Sequence, residues 1–313
     1  MVSGVLSAFH GIWGDSWGPR LEYILGHALA ALLDHGGLTL LALPRLLTDD
    51  VFRERMAARV KDLVVRTFWQ EEYALYERRF RLEAIAPIQN KIGRLLASAP
   101  IRNILCQGAG RFDAGFQMDQ GRIVIANLSK GVIGQDHARL LGALLVSQFQ
   151  HAAMARAALP DSSRTPFALY IDEFQSFETE ALSSILAEAR KYGLSLVLAH
   201  QYLDQLTDDI RKIVFGNVGN LIAFRVGQSD ARLLENEFGG DVKMGNLVSL
   251  GTHEIYARLL DLGAMRQPFR GRTLPPVQST AIGRSEAVIW QSRERYGRPR
   301  AKVEAKIERW LGG

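Results

Sequence analysis

An acidic pair closing a short apolar run is the first place in this sequence where side chains could do chemistry. Phe167-Ala168-Leu169-Tyr170-Ile171 leads into Asp172-Glu173. Phosphoryl transfer from a nucleotide needs a magnesium ion near the β- and γ-phosphates and a carboxylate that orients or activates the attacking water. A buried strand ending in Asp-Glu supplies both. The strand fixes the backbone, Asp172 can hold the metal through a water, and Glu173 can face the γ-phosphate. By itself the motif is weak, because a strand running into a solvated acidic turn reads the same way.

Its flanks add to it. A second apolar run, Leu194 to Ala199, ends in His200-Gln201, at the carboxyl edge where ligands sit in open α/β sheets. The Gln201 amide can bond a γ-phosphate or the lytic water there and report its loss. His200 reads as a packing or hydrogen-bonding neighbour. Between the runs lies Glu188-Ala189-Arg190-Lys191-Tyr192-Gly193. Basic residues followed by glycine are ordinary helix C-capping, so Arg190 reads as a dipole-stabilising surface residue. In a ring assembly the same side chain could reach a neighbour's phosphates, where such a finger is worth on the order of 10³–10⁵ in rate.

One component is missing. A loop of the form G-x-x-x-x-G-K-[ST] cradles phosphates with backbone N–H groups and a lysine, and the sequence contains none. Gly108-Ala109-Gly110-Arg111, Gly14-Asp15-Ser16-Trp17-Gly18 and Lys130-Gly131 are glycine-bearing turns without the motif.

The elements that must position these residues fall into two textures. From Arg20 to about Leu105 apolar residues recur at three- and four-residue steps, as in Leu21, Ile24, Leu25, Ala28, Leu29 and Leu32 before Gly36-Gly37. That is helical periodicity with a glycine stop. Thr48-Asp49-Asp50 opens another helix, and Ala84 to Leu96 a further one with Pro87 in its first turn. After Gly110 short strands alternate with helices: Arg122–Asn127, a helix from Asp136 to Ala158, Phe167–Ile171, a helix from Glu178 to Tyr192, Leu194–Ala199 and Asn220–Val226. This alternation predicts an α/β sheet, mostly parallel and covered on both faces.

At this point a family resemblance becomes specific. Leu-Tyr-Ile-Asp-Glu-Phe-Gln (169–175), Ala-Arg-Lys-Tyr-Gly-Leu (189–194) and Ala-His-Gln-Tyr-Leu-Asp-Gln-Leu (199–206) resemble, in order and spacing, the TraD/TraG-like coupling-protein ATPases of conjugation and type IV secretion. These form a branch of the FtsK/HerA motor superfamily. Gly216-Asn217-Val218-Gly219-Asn220 through Phe224-Arg225-Val226-Gly227, Asn127-Leu128-Ser129-Lys130-Gly131 and Trp17-Gly18-Pro19-Arg20 fit the same branch. The resemblance covers nearly the whole chain. It implies a RecA-like P-loop NTPase core with an inserted all-α domain: residues 1–16 as residual motor, 17–105 all-α, 106–274 the Walker B half of the motor, and 275–313 a basic tail. It further implies ATP and Mg²⁺ as cofactors, with Asp172 on the metal and the nucleotide. Glu173 becomes the catalytic carboxylate, Gln201 the γ-phosphate sensor and Arg190 the finger acting in trans. The implied partners are DNA, further copies in a hexameric ring, and relaxase or secretion-channel proteins. Because the family's phosphate loop lies upstream of the all-α insertion, the missing part would precede Met1. ATP binding by the chain alone is therefore expected to be poor. A HerA-like translocase in repair or packaging is an alternative. Another is a non-catalytic adaptor whose helical block binds a relaxase or secreted protein.

Composition sets outer bounds. There are 38 basic and 33 acidic residues, a net charge of +5, which is too mild to assign a nucleic-acid partner by itself. The lone Cys106 excludes an internal disulfide and a cysteine-rich zinc site. No apolar run approaches the roughly 20 residues of a membrane span, and the start lacks a secretory signal. These features predict a cytoplasmic protein, brought to the inner membrane, if at all, by upstream segments or partners. Arg266, Arg270 and Arg272, and the arginines and lysines from Arg284 to Arg309, are candidates for DNA contact or for a solvated tail. In that tail Val303, Ile307 and Leu311 make a short amphipathic helix that could pack on a neighbour. The tryptophans and the Phe68-Trp69 pair read as core anchors rather than base-stacking platforms.

Overall fold

The computed structural model describes residues 1–177, 179–276 and 284–312. Its contacts divide the chain into two compact units. The first comprises residues 1–117 and 123–148 with the C-terminal helices, and the second 118–122 and 149–282.

The first unit is helical because its apolar residues repeat on one helix face after another. Helices α1 (Val2–Trp13) and α2 (Pro19–His35) pack together. Pro19 opens α2, where a missing N–H costs nothing, and Gly36 ends it at φ 68°. Leu21, Ile24, Leu25, Ala28, Leu29 and Leu32 are all buried. α3 (Ala42–Thr48), α4 (Asp50–Ala57) and α5 (Leu63–Thr67) follow. The side chain of Asp49 caps α4 by accepting from Phe52 N at 2.9 Å, and Asp62 caps α5 by accepting from Val65 N at 3.0 Å. A single π turn at Phe68–Glu72 and the 3₁₀ turn Tyr73–Leu75 that follows present Phe68, Trp69 and Tyr73 to one core, where all three are buried. They are anchors, with Trp69 Nε1 donating to His27 O and Tyr73 OH to Leu47 O.

Helix α6 (Arg78–Ala97) starts two turns before the expected Ala84, so Pro87 lies in its interior rather than its first turn. The buried stripe Ala84, Ile85, Ile88, Ile92 and Leu95 holds the helix on both sides of the proline. α7 (Ala99–Leu105), α8 (Ala114–Asp119), α9 (Lys130–Ile133) and α10 (Gln135–Ala155) come next. The helical unit also reaches further than 17–105. Ala8 and Phe9 of α1 and Leu140 and Ala143 of α10 belong to its core. The expected strand Arg122–Asn127 does not form; Ile123 and Ile125 stand in solvent without a ladder partner.

In the second unit, β1 (Phe167–Ile171) and β2 (Leu194–Leu198) are parallel neighbours, with Phe167 opposite Leu194 and Ile171 opposite Leu198. Between them run α11 (Glu180–Glu188) and a 3₁₀ turn, Ala189–Tyr192. The expected start of that helix at Glu178 lies outside the described residues. Thr179 caps α11 through Leu182 N, and Gly193 at φ 76° turns the chain into β2. Phe167, Leu169 and Ile171 face the covered side of the pair with Leu194, Leu196 and Leu198. Phe149 stacks on Phe167 at 5.4 Å between ring centres. Ala168, Tyr170, Ser195 and Val197 form the other face, which is exposed, Tyr170 to 74%. Cover on both faces was expected, but no described element of this unit packs on that side.

After α12 (Asp208–Asn217), the strand expected at Asn220–Val226 is limited to β3 (Leu221–Ala223). α13 (Gln228–Glu237) and α14 (Met244–Val248) lead to β4 (Glu254–Arg258). β4 pairs antiparallel with β3 and with the later strand Phe269–Arg272, and Leu260–Asp261 and Ala264–Met265 form a small hairpin between them. Sheet pairing is thus parallel at β1–β2 and antiparallel elsewhere among the described residues.

The C-terminal helices α15 (Arg284–Tyr296) and α16 (Arg300–Gly312) belong to the first unit. Val303 and Ile307 are buried with Leu41 and Cys106, while Leu311 is exposed. The amphipathic tail helix therefore packs on its own helical unit. Part of the tail, residues 277–283, lies outside the described residues. Among the described residues, no helix is long and apolar enough to cross a membrane.

Candidate active site

The site is built where β1 and β2 end. The ladder continues past the strands, since Ala199 N donates to Ile171 O at 3.0 Å and Phe174 N to Ala199 O at 3.2 Å. These bonds hold the turn after β1 against the segment after β2. Asp172 is exposed, and its Oδ1 accepts from Glu173 N at 3.0 Å. Glu173 is half-buried and has φ 52°, in the left-handed region that non-glycine residues seldom enter and that recurs at functional sites.

Gln201 meets Glu173 directly, its Nε2 donating to Glu173 Oε1. Three of the sequence-predicted residues, Asp172, Glu173 and Gln201, are thus brought to one edge. His200 is half-buried with its ring edge-on to Phe174 at 5.1 Å, the packing neighbour expected. Arg190 lies elsewhere. It is exposed in the turn before β2, at the opposite end of the pair and about five strand residues, or roughly 16 Å, away. Among the described residues its guanidinium has no hydrogen-bond or ion-pair partner, while its backbone carbonyl accepts from Gly193 N at 3.1 Å.

That rear end is held by a residue the sequence reading passed over. Arg156 is 2% exposed. Its Nε and Nη2 donate to Asp119 Oδ1 at 3.0 and 2.7 Å, and its Nη1 donates to Thr165 O at 2.9 Å and Tyr192 O at 3.4 Å. One side chain therefore ties the lead-in to β1 to the turn before β2. Arg164 adds bonds to Arg156 O and Lys191 O. Two further omissions lie at the front. Gln175 Nε2 donates to Glu173 Oε2 at 2.5 Å and to Gln205 Oε1 at 2.8 Å. Buried Asp230 accepts from Leu203 N at 3.1 Å. An amide two residues after the acidic pair was a readable signal. The arginine and Asp230 gave none, because their partners are 9 to 37 residues distant.

Among the described residues, no group of three or more His, Cys, Asp or Glu side chains is arranged to hold a metal ion. A magnesium ion that keeps several waters and is bound through one carboxylate plus nucleotide phosphates asks for less. Asp172 fits that role, being exposed and, among the described residues, having no partner at Oδ2.

Residues 166–236 match a family model described as the TraM recognition site of TraD and TraG. The fold is that of a bacterial conjugative coupling protein, TrwB. Its unbound ΔN70 form superimposes at TM-score 0.58 with 14% identity over 83% of this chain and 66% of that one. The complex with ADP and Mg²⁺ gives 0.62 and 15% over 87% and 68%. The complex with a non-hydrolysable GTP analogue gives 0.60 and 14% over the same shares. The present chain spans about two thirds of the length of these structures. No curated protein matches the sequence. The expected α/β core with an all-α domain is thereby established.

Proposed function

We propose, for a chain that is TraD/TraG-like over residues 166–236 and has the coupling-protein fold, that it forms the Walker B half of an ATP-driven DNA-translocating motor. The observation that carries this reading is the convergence of Asp172, Glu173 and Gln201 at the carboxyl ends of two parallel strands, the edge where such sheets bind ligands. Bound magnesium and ATP supply the electrophilic phosphorus and the shielding of its charge. Asp172, exposed at this edge, is the residue that would hold the metal. Glu173 takes the proton of the attacking water through a carboxylate oxygen, and Gln201 orients that water or the γ-phosphate. Arg190, exposed and remote from its own site, reaches the phosphates of a neighbouring copy in a hexameric ring.

The phosphate cradle comes from residues outside this sequence, which contains no G-x-x-x-x-G-K-[ST]. The chain alone is therefore expected to bind magnesium-ATP weakly in a calorimetric titration. The test is hydrolysis by this chain mixed with, or fused behind, a polypeptide bearing that loop. DNA-stimulated phosphate release is expected, falling by about 10²–10⁴ in E173Q. R190A should poison mixed assemblies, since each copy would fail its neighbour. Hydrolysis by E173Q and D172A at the parent rate would end the reading.

A second reading rests on the description of the matched family. The match of residues 166–236 to a family described as a TraM recognition site supports partner docking on the second unit, where the sequence alone had suggested the helical block. On that reading the chain binds a TraM-class relaxosome protein without hydrolysing ATP. Micromolar binding of such a protein, unchanged by E173Q and unaccompanied by hydrolysis in the mixture, would favour it.

A further inference from the structure

Both oxygens of the Glu173 carboxylate are already taken by amides. Gln201 Nε2 donates to Oε1, and Gln175 Nε2 donates to Oε2 at 2.5 Å. The two donors differ in what holds them. Gln201 is exposed and, among the described residues, its amide bonds only Glu173. Gln175 is half-buried, and its second N–H goes to Gln205 Oε1 at 2.8 Å. With both protons committed, the orientation of the Gln175 amide is fixed. Its Oε1 is buried without a hydrogen-bond partner, a cost a flip would not relieve, because a flip would set that oxygen against the carboxylate. Gln205 is held in turn. It sits in the 3₁₀ turn Leu203–Gln205, whose first N–H is accepted by buried Asp230 at the start of α13.

We propose that Gln175 is the positioning residue of Glu173, holding the carboxylate by Oε2 while Gln201 is free to exchange Oε1 for another acceptor. This rests on the reading of Glu173 as the catalytic carboxylate. Each carboxylate oxygen can accept a second hydrogen bond, so the Gln175 bond leaves Glu173 able to take a proton and fixes only where it points. A φ of 52° at Glu173 makes such a restraint necessary, because a strained backbone persists only where its surroundings over-determine it. Gln205 and Asp230 then form the fixed end of the arrangement, and Gln201 the exchangeable one.

The test labels carboxylates in the isolated chain with a water-soluble carbodiimide and glycinamide, with Glu173 and Asp172 quantified by peptide mass spectrometry. Losing one net hydrogen bond should raise the labelling rate of Glu173 about fivefold in Q175A. Q205A should raise it less, and Q201A least, because Gln175 still holds the group. Asp172 labelling and the thermal midpoint should stay at parent values. In the loop-complemented mixture Q175A should lower kcat with KM unchanged, which a general loosening of the unit would not do. A Glu173 rate in Q175A within twofold of the parent overturns the proposal, as does a Q201A effect larger than that of Q175A. Should Q175A fail to fold, Q205A, which removes only the acceptor for Gln175, decides on the same labelling criterion. Labelling needs no nucleotide, so its failure is separate from that of the functional reading, which fails when E173Q hydrolyses normally.

Discussion

Replacing Arg156 by alanine should loosen the rear of the parallel strand pair, and the size of the effect follows from what the guanidinium holds. It donates twice to one Asp119 oxygen and to the carbonyls of Thr165 and Tyr192. A hydrogen bond to a charged group contributes roughly 1.5–3 kcal/mol, and each polar group left unpaired in a buried setting costs about 1–3 kcal/mol. Asp119 is half exposed, with 52% of its side chain in contact with solvent, so water recovers much of its share. Tyr192 O, at 3.4 Å, adds little. The sum is about 3 kcal/mol, most of it at the Thr165 carbonyl and in the lost packing of a long buried stem. Native-state hydrogen exchange reads this locally. The amides that close the β1–β2 ladder, among them Phe167 N on Gly193 O and Ala199 N on Ile171 O, should exchange about a hundredfold faster. R156K should recover little, since a lysine is a point donor and cannot span three acceptors as the planar fork does. Helical-unit amides such as those around Ile24 and Ile88 should not change. Acceleration of less than threefold at the ladder, or equal acceleration in both units, would refute the argument that one side chain staples the strand starts.

Other outcomes can be stated with their measurements. Burial pushes the Tyr73 hydroxyl up to about 12. The folded state therefore keeps a proton that the unfolded chain releases near 10, and stability should fall as pH rises from about 10 to 12. The loss is on the order of 2 kcal/mol by denaturant titration, and Y73F should remove that component. Cys106 is buried beneath Val303 and Ile307, and burial pushes its thiol pKa up. I307D should expose it and speed thiol labelling by at least tenfold, whereas E308Q should not. Arg266, Arg270 and Arg300 are paired with Asp261, Glu254 and Glu304. If the chain acts on DNA as proposed, alanine at any of them should change the affinity and its salt slope by less than one phosphate contact, measured by fluorescence titration across salt.

What could be read from the sequence divides along a physical line. The helical block was legible because a 3.6-residue period and short caps are local signals; Leu21 to Leu32 and Asp49 carried them. Its limits were not, since α1, α10 and α16 join its core through contacts distant in sequence. At Arg122–Asn127 the apolar alternation was present but the strand is absent, because a strand exists only by its neighbour and none of the described residues offers one. The same dependence governs the site. Asp172, Glu173 and Gln201 could be placed from two strand ends, since parallel pairing in register brings those ends together. The side chains that fix them could not. Gln175 works through Gln205 and the turn held by Asp230, and Arg156 works through backbone carbonyls nine and thirty-six residues away. Residues that touch a ligand are constrained in type and therefore leave a pattern. Residues that orient them need only reach, and many types can reach. For this chain the sequence motif specifies the acidic edge, while whether that edge is held for catalysis is decided by the amide network around Glu173. Labelling of that one carboxylate is therefore the most direct measurement of it.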